Sequence, residues 1–254
     1  CTRLSEDFAP LSIPWPRQAR EDLVSLIGAG ENMVEIFEAL DQEGLISRWI
    51  PEWDHLRFLP QRNVLHRHTV DRHMLETAIR AANLTRKVHR PDLLLFAALF
   101  HDVGKGFADK DHSEYGSELI LPLASRLGFD YADQQTLALL VKHHLLLPSV
   151  ATRRDLDDPQ TIAYVNSLIP DANTLELLHA LSVADGEATG KGAWSNWKAG
   201  LVDDLVHRCH RAMAGIAPAP QLELSESQLR KAANGKLEIE ILPREEHFLI
   251  EIVA

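Results

Sequence analysis

Four residues, His73, His101, Asp102 and Asp185, are of the types that hold a divalent cation, and each falls where a helix should bury it. Two imidazoles and two carboxylates form a mixed nitrogen and oxygen donor set suited to one transition metal. Such a site with open positions acidifies water, which is the chemistry of metal-assisted hydrolysis. A second set, His112 and the pair His143-His144, follows in the sequence, and a bridging Asp102 would let it hold a second ion. Only one of two adjacent residues, His143 or His144, can face inward.

The stretch LLLFAALFHDVGKG, residues 93–106, must position the centre of this set. Pro91 suits a first helical position and Asp92 complements a helix N-terminus. A helix apolar all round is central. His101 and Asp102 therefore fall at the C-terminal end of a core helix that Gly104 can stop. An unpaired buried carboxylate is costly, so Asp102 must be paired or bind a metal. His73 borders the stripe Val70, Met74, Ala78, Ala81, and Asp185 follows Leu178 and Leu181 on a buried face. The residues alone leave other readings open. His101 and Asp102 could form a structural pair, and Asp185 could partner a buried Arg or Lys. His112 could be a turn or cap residue, and His143 an ordinary core histidine.

The pattern along the chain predicts an all-α body. Helical periodicity runs through 17–27 and 32–43, then roughly 70–88, 91–103, 113–127, 133–146, 159–168, 171–185 and 196–214. Residues 1–17 read as an extended arm, and the stretch with Trp49, Pro51, Trp53 and Pro60 as irregular packing. Near Pro218-Ala219-Pro220 the period changes to alternation, which predicts a short C-terminal β-hairpin over 237–254. The domains expected are an arm with linker helices (1–60), a helical catalytic domain (61–215) and a linker with an unfinished β-containing unit (216–254).

The chain has 254 residues, a net charge of −11 and two cysteines, Cys1 and Cys209. So few cysteines exclude a disulfide framework and a cysteine-based zinc site. The acidic balance argues against nucleic acid, whose binding rests on phosphate neutralisation. No apolar run approaches the ~18 residues of a membrane span, and no membrane partner is expected. These features predict a cytoplasmic protein. The first residue is Cys rather than Met, which reads as a piece of something longer. The phosphate-loop lookalike GEATGKG (186–192) lacks the required spacer and the Ser/Thr after Lys.

The order His73, His101-Asp102, Asp185 resembles the H…HD…D pattern of the HD superfamily of metal-dependent phosphohydrolases, and His112 with His143-His144 resembles its two-metal form. The stretches HRHTVDRHMLETA, ALFHDVGKG…DHSEYG, VKHHLLL…ATRRDLDDP and SVADGEATGKGAWSNWKAGLV are together similar to the HD domain of the PII uridylyltransferase/uridylyl-removing family. The similarity covers about residues 30 to 210. The resemblance implies an HD helical bundle followed by the start of an ACT domain, with glutamine-sensing ACT domains in the full-length protein. No Asp-x-Asp pair follows Gly116-Ser117 closely, so the transferase domain is not expected in this chain. A GYP after the double His and an HDxxED, signatures of other HD branches, are replaced by HLLLPSV and HDVGKG.

The activity implied is hydrolysis of the phosphodiester between a tyrosine of the nucleotidylated PII signal protein and UMP, or AMP in some relatives. The cofactor implied is one or two divalent ions (Mn, Mg, Fe, Co or Zn). Lys105 would stabilise charge on the non-bridging oxygens, and His112 or His144 could protonate the leaving phenolate. Arg153 and Arg154 are candidates for binding substrate, or are a solvated helix entry. The alternatives are an HD-type small-nucleotide phosphohydrolase and a catalytically silent regulatory interaction module.

Overall fold

The computed structural model describes residues 10–61, 67–107, 109–190 and 192–216, and beyond these 229–230, 233, 238–243 and 248–253. The chain divides into two compact units, 1–216 and 217–254. The described part of the first unit is all-helical, as the periodicity predicts. None of its helices is long and apolar enough to cross a membrane.

The central element is α5 (Pro91–Phe100), reached after α1 (Arg17–Ile27), α2 (Glu31–Gln42), α3 (Leu45–Trp49) and α4 (Val70–Ala82). Every residue from Leu93 to Phe100 is buried. Each fully buried Leu or Phe there contributes roughly 1.5–3 kcal/mol relative to exposure. Pro91 occupies the first turn, where a missing N–H costs nothing. Arg90 fixes the helix start. Its guanidinium bonds Asp133 at 2.6 and 2.7 Å and Asp92 at 2.8 and 3.0 Å.

The chain continues through α6 (His112–Arg126), α7 (Tyr131–His143), α8 (Leu146–Arg153), α9 (Pro159–Leu168), α10 (Ala172–Thr189) and α11 (Asn196–Met213). Side-chain N-caps begin five of these six. Asp111, Asp130, Asp158, Asp171 and Ser195 each accept from a backbone N–H of the first turn, satisfying donors that a helix leaves unpaired. α5 packs against α4, α7, α10 and α1, and α10 also lies along α4. The C-terminal ends of α5 and α7 and the first turn of α4 thereby gather at the C-terminal part of α10, which carries Asp185.

Three expectations need correction. The helix predicted over 70–88 stops at Ala82, and Thr85–Lys87 is a separate 3-10 turn. The segment read as irregular is the short α3 and a 3-10 helix, Pro51–Leu56. Ile50, Trp53 and Leu56 are buried at a spacing of three, the 3-10 period. Trp53 stacks edge-on between Phe37 and Phe100, with ring centroids 5.0 and 6.4 Å away. The helix predicted over 133–146 ends at His143, and α8 starts afresh at Leu146. Of the expected arm, residues 1–9 lie outside the described residues; Trp15 packs back, its N–H donating to the Arg126 carbonyl at 2.9 Å.

In the second unit, β1 (Glu238–Pro243) pairs antiparallel with β2 (Phe248–Val253), placing Glu238 opposite Val253 and Pro243 opposite Phe248.

Candidate metal centre

α5 delivers His101 to its own end. The His101 Nδ1 lies 3.0 Å from the Ala98 carbonyl. A carbonyl only accepts, so Nδ1 carries the proton and Nε2 is left to face inward. This is the arrangement by which a protein orients a metal-ligating imidazole. His73, from the buried face of α4, brings its Nε2 within 3.3 Å of the His101 Nε2. Asp185, from α10, places Oδ1 3.0 Å from His73 Nε2 and 3.5 Å from His101 Nε2. Asp102 follows directly in the turn, its Oδ2 3.3 Å from His101 Nε2 and 3.7 Å from His73 Nε2.

These separations test whether a cation fits. Ligand bonds of about 2.0–2.2 Å place neighbouring donors roughly 3.0–3.6 Å apart, between octahedral and tetrahedral arrangements. The spacings from His73 and His101 to each other and to Asp185, 3.0 to 3.5 Å, and that from His101 to Asp102, 3.3 Å, fall in that range, while His73 to Asp102, at 3.7 Å, lies just beyond it. Lone pairs of two imidazoles and two carboxylates converge on one buried point, which requires positive charge there. Without a cation a proton must serve. Burial pushes the His101 imidazolium down, but Asp102 and Asp185 more than offset this and raise it to about 10. Burial pushes both carboxyls up, yet His101 beside them holds each well below the usual range.

The other oxygen of Asp102 faces a second group. His112 Nε2 and His144 Nε2 each stand 3.7 Å from Asp102 Oδ1, and the three donors form a compact set. His144 sits at the end of α7 as His101 sits at the end of α5, with Nδ1 2.7 Å from the Val141 carbonyl. Burial, followed by repulsion from His101, lowers His144 to about 4. It is a neutral imidazole at ordinary pH, with Nε2 able to serve as a ligand.

Gly104 makes this second group possible. A Cβ there would come within 2.0 Å of the His112 carbonyl and 2.6 Å of the Gly116 nitrogen. Only a residue without a side chain lets the turn after Asp102 press against the first turns of α6. Asp111 caps that helix through Ser113 and Glu114, both at 3.0 Å, and so fixes where His112 begins.

Lys105 donates to Asp102 Oδ2 at 2.6 Å and to Gln61 Oε1 at 2.7 Å. A cavity of about 630 Å³ opens onto these groups, with Leu59, Pro60, Phe107 and Leu145 as its apolar wall. His143 belongs to neither donor group, a correction to its candidacy. One residue before His144, it turns to a neighbouring cavity lined also by Arg153 and Arg154. These two arginines lie outside the metal cavity. Sequence reasoning missed Gln61, which sits in a proline-flanked loop with no periodic signal.

The HD domain family matches residues 70–187. Three similar proteins are each named bifunctional uridylyltransferase/uridylyl-removing enzyme. The one from Streptomyces coelicolor is 54% identical over 221 residues, covering 87% of this chain and 26% of its own length. That from Mycobacterium tuberculosis strain H37Rv is 50% identical over 246 residues, covering 96% and 30%. That from Corynebacterium glutamicum is 37% identical over 231 residues, covering 89% and 33%. The chain thus spans a quarter to a third of the length of these curated relatives. The matched stretch contains all six converging residues, His73, His101, Asp102, His112, His144 and Asp185, so the stretch of this chain that is similar to the HD domain family is the stretch that builds the site.

Proposed function

We propose that this chain is a metal-dependent phosphodiesterase that removes a uridylyl group from a tyrosine of the PII signal protein. The observation that carries the reading is the placement of Asp102, one oxygen facing His73 and His101, the other facing His112 and His144. His73, His101, Asp102 and Asp185 would hold one divalent cation, and Asp102, His112 and His144 a second. Bound there, a divalent cation neutralises phosphate charge and lowers the pKa of water from 15.7 towards about 7.

The protein's own groups supply the rest. Lys105, held between Gln61 and Asp102, presents a point charge to a non-bridging phosphate oxygen. The tyrosine leaving group has a pKa of roughly 10, so expulsion needs only modest protonation. His112, at the partly open edge of the cavity, is placed to give that proton when it does not hold a cation. Leu59, Pro60, Phe107 and Leu145 exclude bulk water from one side, which strengthens the charge interactions inside.

The same reading assigns 61–215 to the hydrolase and 216–254 to a linker and the start of an ACT-like unit, in a cytoplasmic protein of nitrogen regulation. The test is release of nucleotide from uridylylated PII, adenylylated PII and a panel of free nucleotides, each with Mn, Mg, Fe, Co or Zn. Release of UMP from the protein substrate is expected. Hydrolysis of free nucleotides alone would assign a small-molecule phosphohydrolase instead.

A further inference from the structure

A second cavity, of about 410 Å³, lies beside the metal cavity. Leu145 lines both and forms the ridge between them. The break between α7 and α8 creates this division, since His144 faces one cavity and His143 the other. Lys142, His143, Arg153, Arg154 and Tyr164 line the second. Its cationic character stands out in a chain of net charge −11.

The cations differ in their partners. Lys142 pairs with Glu114 at 2.8 Å. The Arg154 guanidinium lies 4.1 Å from the Tyr164 ring centroid, which holds its plane and leaves its N–H groups for another partner. Neither Arg153 nor Arg154 pairs with a carboxylate among the described residues. The acids that follow them are engaged elsewhere. Asp155 accepts from the Asp157 N–H at 2.9 Å, Asp157 pairs with Arg208 at 2.8 Å, and Asp158 caps α9.

We propose that this basic cavity is an anion subsite for the protein substrate, taking an Asp or Glu carboxylate near the modified tyrosine while the phosphodiester occupies the metal cavity. The proposal rests on the phosphodiesterase reading. The phosphate charge would already be met by Lys105 and by the cations that the donor groups would hold, so two further guanidiniums across the Leu145 ridge serve a different anion. Guanidinium suits a carboxylate because its N–H fork matches the two oxygens. An acidic segment approaching a protein of net negative charge also needs a local reversal of the field.

The experiment compares two substrates on this chain loaded with Mn: uridylylated PII, and bis(p-nitrophenyl) phosphate, a diester with no carboxylate. The variant is Arg153→Glu with Arg154→Glu, alongside the milder Arg153→Gln with Arg154→Gln. For uridylylated PII, KM should rise about tenfold in the Glu pair and about threefold in the Gln pair, with kcat within about twofold, because rim charges act mainly on encounter. For the small diester, kcat/KM should stay within about twofold of wild type. The KM for uridylylated PII should also lose part of its salt dependence. The Gln pair carries the test if the Glu pair does not fold, as judged by circular dichroism and by the metal-induced rise in Tm. An unchanged KM for uridylylated PII, or an equal loss on both substrates, overturns the subsite. Wild type inactive on both substrates instead overturns the phosphodiesterase reading, and the subsite with it.

Discussion

His101 and His144 end their helices with the same bond, Nδ1 to the carbonyl three residues earlier, at 3.0 Å to Ala98 and 2.7 Å to Val141. Their rings lie edge to face with centroids 5.2 Å apart. One backbone device, used at the ends of α5 and α7, aims two Nε2 atoms at opposite oxygens of Asp102. The local fold, rather than side-chain packing alone, sets the ligand geometry.

Replacing His73 with Ala should lower metal content and abolish most of the metal-induced rise in Tm. A cation bound to the native state stabilises it in proportion to the logarithm of its concentration over Kd. Elemental analysis of purified protein and a metal-titrated melt are the measurements. An unchanged Tm rise in the variant would remove His73 from the site.

Gly104→Ala should destabilise by about 1–3 kcal/mol, the cost of forcing a methyl into packed backbone. The Cβ would strike the His112 carbonyl and Gly116, so the second donor group should be disrupted along with the fold. Gly200→Ala is the control: it lies within α11 with nothing within 4 Å of its Cβ. There the change should stabilise by about 0.5–1 kcal/mol. Urea denaturation of both variants decides, and a neutral Gly104→Ala would refute the close approach.

Asp171→Ala should cost about 1 kcal/mol at neutral pH through loss of the cap on α10, the helix that carries Asp185. Burial alone would raise the Asp171 carboxyl, but its bonds to the Thr174 side chain and backbone hold it below its usual value. A depressed folded-state pKa contributes stability above the unfolded value of 3.8 and loses it as pH falls through the folded value. The difference between wild type and Asp171→Ala should therefore persist at pH 5 and shrink below about 3.8. Denaturation at a series of pH values measures it.

The central helix was legible because Pro91, Asp92 and an unbroken apolar run leave little choice. The stripe of α4 and the phase of α10 likewise point His73 and Asp185 towards the core. The break at His144-Leu145 was not legible. VKHHLLL reads as one continuous helix, and no turn residue in it marks the end of α7 at His143. Without that break, the choice between His143 and His144 could not be made from spacing. The bond from Lys105 to Gln61 joins residues 44 apart across a loop without pattern, and no local signal announces it.

Lys105→Ala should keep its metal yet lose rate. Its ammonium contacts Asp102 but contributes no donor atom to the cation. Removing one preorganised charge from a transition-state site costs on the order of 10²-fold in kcat. Metal content equal to wild type with a fall mainly in kcat is expected; a rise in KM alone would make Lys105 a ground-state binding residue.

The most direct measurement is UMP release from uridylylated PII by Mn-loaded wild type and by Asp102→Ala, with metal content and circular dichroism recorded on the same samples. Asp102 faces both donor groups, so its loss should reduce kcat by about 10²-fold or more while the helical core, whose burial does not depend on that carboxylate, stays folded. Asp102→Ala with full metal content and full UMP release would contradict the account.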